Sequence, residues 1–463
     1  MQLRDYQLKG ISDIAASFKA GYRRPLYVLP TGGGKTVIMS GIARSAQQKN
    51  KRTYILVHRQ ELIRQTSRKL CSFGVAHGII WANQPMTDHH VQVASVQTLC
   101  RRLHLYQPAD LIIVDEAHHA PASTYQRILQ AWPAARVLGV TATPERGDGA
   151  GLDAVFDDLV LGPSIAELIA LAYLSPILLY RPPRNYSLEG LHTRGGDWAR
   201  DELMERVNTP QVVGDLINNY VTYAENEKGL CFTVSVEHAE YLARKFTLAG
   251  YSAASIDGSM SDSERAGVLH DFETDKIKLL MSCDLVSEGF DVPDCKVGIF
   301  ARPSKARGLV RQQWGRILRP AADKDAAILL DHAGNSHYHG LPDWEPEWTL
   351  EGSKKRKGEA GESLPPQRQC PECYRVFPPA PVCPGCGYVF ESKGRQVEYV
   401  DGKLELVPEK GADPKKLKII EQAKAKTLTE LIELGKNRGY KHPTIWAHQV
   451  YQARQAKDER VSS

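Results

Sequence analysis

The string Leu29-Pro30-Thr31-Gly32-Gly33-Gly34-Lys35-Thr36 stands between an apolar run and the start of a helix-forming segment, Val37-Ile38-Met39. Consecutive glycines let backbone N–H groups turn inward around an anion, and the helix start behind them adds partial positive charge. In that setting Thr31, Gly32, Gly33 and Gly34 would cradle phosphates. Lys35 would reach the β- and γ-phosphates of a nucleotide, and Thr36 would ligate Mg²⁺. The strict eight-residue pattern has glycine where Leu29 stands.

A second feature answers the first. Asp115-Glu116-Ala117-His118 directly follows the apolar run Leu111–Val114. Asp115, at the end of a buried strand, can hold Mg²⁺, and Glu116 can polarise an attacking water. Two adjacent acids in that place are costly without a cation. A third feature lies far downstream, in Gln312-Gln313-Trp314-Gly315-Arg316-Ile317-Leu318-Arg319. Arg316 and Arg319 share one face of a helix. Arginine stays charged and forks onto two oxygens, so this pair suits a γ-phosphate approached from a second lobe.

Separate chemistry is written in Cys370-Pro371-Glu372-Cys373 and Cys383-Pro384-Gly385-Cys386, two C-x-x-C knuckles nine residues apart. Four thiolates turned toward one point make a tetrahedral Zn²⁺ site, and Gly385 and Gly387 suit the tight turns. Two disulfides are the alternative, which a reducing compartment disfavours. Two roles stand open for the zinc: binding nucleic acid, or stapling a segment too small to have its own core.

These residues need elements to hold them. From Leu26 to about Val140, short Val/Ile/Leu-rich runs alternate with amphipathic stretches, and a similar series runs from Gly229 to Leu330. Such runs read as buried parallel strands, so two successive α/β lobes are predicted. Between them, Pro163, Pro176, Pro182, Pro183 and Gly195-Gly196 mark a connector with a helix around 164–172. The expected organisation is a first lobe at 1–163, a connector at 164–208, a second lobe at 209–336, a linker at 337–368, a cysteine module at 369–391 and a helical segment at 412–457. The linker carries the basic run Ser353-Lys354-Lys355-Arg356-Lys357-Gly358, which reads as a solvated tether. In the last segment, Leu428, Leu431, Ile432 and Leu434 lie near helical spacing, Gly435 and Gly439 are expected to break that helix, and Trp446, Val450 and Tyr451 recur on a second one. Its Lys441, His442 and Arg454 border could meet phosphates. The segment reads either as a self-contained helical hairpin or as a dock for DNA or a replication or repair partner.

Composition sets the outer bounds. The chain has 463 residues, 42% hydrophobic and 24% charged, with a net charge of +5. This is ordinary globular composition, and the charge excess is compatible with a polyanionic partner without requiring one. No apolar run approaches the ~18 residues that cross a bilayer, and the N-terminus has no signal-peptide core. A cytoplasmic protein without membrane association is therefore expected. Cys71, Cys100, Cys231, Cys283 and Cys295 stand singly, like buried small hydrophobes.

In their order, these strings resemble the motifs of superfamily-two helicases from about Leu3 to Asn335. Leu3-Arg4-Asp5-Tyr6-Gln7 is similar to the adenine-reading motif, which makes Arg4 and Gln7 nucleotide contacts. Val57-His58-Arg59-Gln60-Glu61-Leu62 and Ser95-Val96-Gln97-Thr98-Leu99 resemble motifs Ia and Ib. They imply nucleic-acid contacts at Arg59, Gln97 and Thr98. Asp115–His118 is the DEAH form of motif II, and Thr141-Ala142-Thr143-Pro144 resembles motif III. Ser287-Glu288-Gly289-Phe290-Asp291-Val292-Pro293 resembles motif V, placing Gly289 and Asp291 at the nucleotide. Gln312–Arg319 resembles motif VI, adding Gln312 to the catalytic set.

The resemblance implies two tandem RecA-like parallel-sheet lobes, ATP and Mg²⁺ in the cleft between them, and coupling through His118, Thr141 and Thr143. The Val-His-Arg-x-Glu-Leu string, the Ala172-Tyr173-Leu174-Ser175-Pro176 segment and the Ser-Glu-Gly-Phe-Asp-Val-Pro string look like the DNA-directed branch. That branch contains the XPB-like helicases, restriction-enzyme motor subunits and RadD repair helicases, and the tail resembles those of phage- and prophage-encoded helicases. DNA (single-stranded, duplex or forked) is thus expected over RNA, on resemblance alone. The motifs report ATP hydrolysis and lobe closure, so three readings remain: a motor that moves on or unwinds DNA, a regulatory ATPase clamp, and a loader of a partner protein.

Overall fold

The computed structural model describes residues 2–82, 84–183, 187–194, 196–283, 295–352, 364–390 and 421–461. The first lobe is built on a seven-stranded parallel sheet. Its strands are β1 (Pro25–Val28), β2 (Thr53–Val57), β3 (His77–Ile80), β4 (Val91–Ser95), β5 (Leu111–Asp115), β6 (Arg136–Thr141) and β7 (Asp158–Leu161), in the order β3-β4-β2-β5-β6-β1-β7. Alternate side chains feed two separate cores, as the period of two requires. Leu26, Val28, Tyr54, Leu56, Ile112 and Val114 pack on one face with Trp132 and Phe156. Tyr27, Ile55, Val57 and Ile113 pack on the other with Ile14, Ile38 and Met39. Helices on both faces explain why these strands read as continuous apolar runs.

The second lobe continues the pattern with β8 (Ile177–Tyr180), β11 (Gly229–Phe232), β12 (Ala253–Ile256), β13 (Leu279–Ser282), β14 (Val297–Phe300) and β15 (Ala327–Leu330). A small hairpin, β9 (Thr193–Arg194) with β10 (Asp197–Trp198), precedes them in part. The sheet order is β12-β13-β11-β14-β15-β8-β17-β16, where β16 is Arg368–Gln369 and β17 is Arg375–Phe377. Its strands are parallel through β8, and β17 then pairs antiparallel with β8.

Two expectations change here. The stretch 164–208 is more than a connector, because β8 pairs with β15 as a strand of the second sheet. Pro176 and Pro182-Pro183 mark the ends of that short apolar strand. The cysteine module is likewise continuous with this lobe, through the pairing of Arg375 with Tyr180 and of Val376 with Leu179. Part of the expected linker is also structured: Trp348 and Leu350 pack against the first lobe's core.

The chain divides into two compact units, 1–392 and 393–463. In the second, helices Leu428–Asn437 and Pro443–Val461 form a hairpin around Leu431 and Ala447. Gly439 takes φ 69° just past the first helix. The Tyr440 N–H donates to the Gly435 carbonyl (3.1 Å) and the Gly439 N–H to that of Lys436 (3.0 Å), a Schellman ending. Gly435, expected to break the helix, lies inside it. A Cβ there would sit 3.0 Å from the Pro443 ring and 3.1 Å from the Trp446 indole, so this glycine serves helix–helix approach. Among the described residues no helix is long and apolar enough to cross a membrane.

Candidate active site

The glycine loop leaves the carboxyl end of β1. Gly32 and Gly34 hold φ of 89° and 88°, the left-handed region where a side chain is strained. Gly34 caps the helix Lys35–Gln48, so the loop ends on a helix N-terminus as an anion site requires. At the carboxyl end of β5 the chain turns sharply, and Glu116 itself adopts φ 48° while buried. A non-glycine residue held there costs of order 1–3 kcal/mol, which fixes the carboxylate's direction at the expense of stability.

Both acids are desolvated. Burial first, and the neighbouring Glu116 carboxylate second, push the Asp115 carboxyl up to about 7, with Lys35 opposing. Lys35 Nζ lies 3.9 Å from Glu116 Oε1. One lysine between two buried carboxylates leaves room for a further cation, and a divalent metal would favour the ionised forms. The donor set therefore fits Mg²⁺ at Asp115 and Thr36.

The second lobe completes this cavity of about 380 Å³, which Thr36, Asp115 and Glu116 share with Arg316 and Arg319. The Gln312 side-chain amide donates to Glu116 Oε2 at 3.4 Å. Gly315 packs so closely on Thr31 that an added Cβ would collide with it. Burial lowers the Arg319 guanidinium to about 10, which still leaves it charged at neutral pH.

Arg4 and Gln7 line the same cavity. The Arg4 N–H donates to Gln7 Oε1 at 3.0 Å, and the Tyr6 hydroxyl donates to the Gly33 carbonyl at 2.7 Å, which ties the N-terminal helix to the phosphate loop. Tyr173 was not among the expected site residues, although its segment carried part of the resemblance. Its ring lies 5.1 Å from that of Tyr6 and 4.2 Å beneath the Arg4 guanidinium. The available signal was a single aromatic in the segment Ala172-Tyr173-Leu174-Ser175.

His118 bridges the acids and motif III. Its Nδ1 is 3.5 Å from Glu116 Oε2 and 3.4 Å from Thr141 Oγ1, and Thr141 donates to the Thr143 carbonyl at 2.9 Å. Arg59 precedes the helix Gln60–Ser72, just beyond β2. Gln97 and Thr98 follow β4, where Ser95 Oγ donates to Gln97 Oε1 at 3.1 Å. These three lie on the carboxyl edge of the sheet but are not brought to the cavity. At ~4.8 Å per strand, the sheet order sets β2 roughly 14 Å from β1. Gly289 and Asp291 fall outside the described residues.

The four sulfur atoms of Cys370, Cys373, Cys383 and Cys386 lie within 4.8 Å of one another. Cys370 and Cys386 are 3.5 Å apart, and Cys373 and Cys383 3.6 Å. A disulfide would need ~2.05 Å, whereas four Zn–S bonds of ~2.3 Å give sulfur separations near these. The Gly385 N–H donates to Cys383 Sγ at 3.4 Å, which orients a thiolate without neutralising it.

Known proteins are similar to this chain in sequence and fold. Residues 1–146 match the family described as type III restriction enzyme, res subunit, and residues 210–321 the helicase conserved C-terminal domain. A 51.5 kDa protein of a Lactococcus phage is 35% identical over 413 residues, 86% of this chain and 88% of that protein. The chain belongs to the superfamily-two helicases.

Other relatives of this helicase differ in length. A Saccharomyces cerevisiae protein named as a candidate ATP-dependent helicase, IRC3, is 32% identical over 72% of the chain, and the chain spans 52% of it. The DNA 3'-5' translocase XPB2 of Sulfurisphaera tokodaii is 25% identical over 71% of the chain and 81% of that protein. A fragment named as a candidate HsdR subunit of a type I restriction enzyme from Vibrio vulnificus superposes with a TM-score of 0.59 at 21% identity, over 74% of this chain and 67% of that one. That likeness shows the fold, two RecA-like lobes. The helicase is an ATP-hydrolysing enzyme whose family requires ATP and Mg²⁺ and acts on nucleic acid.

Proposed function

We propose that this helicase is a DNA motor whose two lobes close on ATP and reopen after hydrolysis. The observation that carries the reading is the shared cavity, in which Lys35, Thr36, Asp115 and Glu116 face Arg316 and Arg319 across the interlobe cleft. Lys35 holds the β- and γ-phosphates against the backbone of Thr31–Gly34. Asp115 and Thr36 hold the Mg²⁺, which would neutralise charge developing on the phosphates. Glu116 orients the attacking water, and Gln312 keeps that carboxylate aligned. Arg316 and Arg319 stabilise the transferring phosphoryl group, a contribution worth ~10³–10⁵ in rate where an arginine finger acts. Arg4 and Gln7 read the base, with Gly289 and Asp291 at the nucleotide from the second lobe. His118, Thr141 and Thr143 relay the state of that site to Arg59, Gln97 and Thr98, which meet the nucleic-acid backbone.

DNA is favoured over RNA because the relatives include a DNA translocase and restriction-enzyme subunits. Work in replication, repair or recombination, in the cytoplasm, belongs to the same reading. So does zinc at Cys370, Cys373, Cys383 and Cys386, in a stapling role supported by the pairing of β17 with β8. The C-terminal hairpin is assigned as the dock for DNA or a partner protein.

The test is ATP turnover measured against single-stranded, duplex and forked DNA and against RNA. Strong stimulation by at least one DNA form, with strand displacement or triplex displacement, supports the motor. Stimulation with neither displacement identifies a clamp or loader instead.

A further inference from the structure

Arg311 sits one residue before Gln312 on the buried helix Arg307–Ile317 and is itself only 5% exposed. Its guanidinium is taken up by a segment beyond the second lobe's core. One nitrogen donates to the Trp344 carbonyl at 2.7 Å, and another meets Glu345 Oε1 at 3.1 Å. The ring of Trp348 lies 5.6 Å from its central carbon. That segment then crosses back to the first lobe. The Leu350 carbonyl accepts from the N–H groups of Leu152 (2.6 Å) and Asp153 (3.1 Å), and Gly352 forms a bridge with Ala150. Trp348 and Leu350 pack on the core that holds Leu152, Val155 and Phe156. Gly151 is pressed so tightly on the backbone of Leu350 and Glu351 that a Cβ would clash.

Among the described residues the chain therefore crosses between the lobes twice, once through 162–176 and once through 344–352. Glu345 touches both crossings, because its Oε1 also accepts the N–H of Ile165 at 3.2 Å. Glu145, two residues beyond Thr143, reaches the same helix at Arg307 (3.7 Å). Two crossings restrict the lobes to rotation about a line through both, instead of free separation. Arg311 fastens the helix that carries Arg316, about 7.5 Å further along at ~1.5 Å per residue, to that line.

We propose that Arg311 is a positioning residue, which acts through the return strap Trp344–Gly352 to set Arg316 and Arg319 against the γ-phosphate as the cleft closes. The inference rests on the assignment of those two arginines to the transition state. A buried guanidinium with a carbonyl and a carboxylate as acceptors is held in one orientation, which lysine cannot reproduce.

The full chain, with single-stranded DNA present, is tested as Arg311→Ala, Leu350→Ala, their double variant and Arg311→Lys. The readouts are kcat, affinity for a non-hydrolysable ATP analogue, and thermal unfolding. Each single variant should lower kcat by ~10–10²-fold, the scale of a displacement of about 1 Å at a reacting centre, with analogue affinity changed by less than about threefold. The double variant should turn over no more slowly than the slower single one, because both lesions release the same strap. Arg311→Lys should fall between Arg311→Ala and the natural chain. Losses that multiply, analogue affinity that falls in step with kcat, or a folded Arg311→Ala with natural kcat overturns the proposal. If Arg311→Ala does not fold, Leu350→Ala decides by the same split of kcat from affinity. Arg319→Ala is run alongside: natural turnover there refutes the finger assignment itself, whatever the strap variants show.

Discussion

Gln312 of the second lobe donates its side-chain amide to Glu116 of the first, 3.4 Å away, while Lys35 approaches the same carboxylate from within the first lobe at 3.9 Å. One carboxylate thus faces a partner on each side of the cleft. It belongs to a residue in left-handed backbone conformation, so its position is set locally and its orientation by both lobes.

Lys35→Ala and Glu116→Gln should both abolish steady-state ATP turnover but differ in binding. In the proposed site Lys35 supplies charge to phosphate in the ground state, so its loss should weaken nucleotide affinity. Glu116→Gln removes only the group proposed to act on water and keeps Gln312 in contact, so nucleotide should remain bound with the cleft closed. Fluorescent-nucleotide titration beside a phosphate-release assay separates the two, and normal turnover in either variant would remove these residues from the site.

Metal analysis of protein purified without added zinc should find one Zn²⁺ per chain. Since β17 pairs with β8, removal of the metal should lower the thermal midpoint of the motor by more than about 5 °C and reduce ATPase activity, not only nucleic-acid binding. A metal-free protein with an unchanged midpoint would show that the module staples nothing.

Two buried histidines set a pH limit on the second lobe. Burial holds His238 down to about 4 and His332 down to about 3, both below the ordinary value of ~6.5. A folded-state pKa below the unfolded one means that the unfolded chain binds protons more readily. Stability is therefore full above pH ~6.5 and falls as pH drops from there toward about 4, by up to ~1.4 kcal/mol per pH unit for each histidine. Urea midpoints measured between pH 7 and 4.5 should show this slope, and His238→Gln should reduce it to the share of His332. An identical slope in that variant would place the acid lability elsewhere.

Deletion of the segment after residue 414 should leave basal ATPase intact, because the described residues that line the nucleotide cavity run from Gln2 to Pro320. It should weaken DNA-stimulated activity or partner recruitment. Unchanged DNA affinity, salt dependence, unwinding and partner binding would reduce the hairpin to a structural cap.

Much of this site was legible because its chemistry is local. The glycine loop, the paired acids, the arginine helix and the cysteine knuckles are each contiguous strings whose spacing carries their geometry. The strands that hold them were legible where burial on both faces made unbroken apolar runs, as at Leu111–Val114. What escaped were features defined by distant partners. The four-residue β8 between prolines has the pattern of a loop until β15 and β17 pair with it. Tyr173 looks unremarkable until Arg4 and Tyr6 meet it. The strap around Trp348 and Leu350 resembles a linker because its core belongs to the other lobe. Gly435 was misread for a related reason: the local cost of glycine in a helix is outweighed by the approach of Trp446.

The composite cleft is tested most directly by Arg319→Ala, with single-turnover ATP hydrolysis and ATP affinity measured on the same DNA-bound protein. The Arg319 charge is assigned to the transition state, so affinity should stay within a few-fold of the natural value while the hydrolysis rate falls by ~10³-fold or more. Hydrolysis at the natural rate, or an affinity loss that matches the rate loss, would contradict a site assembled from both lobes.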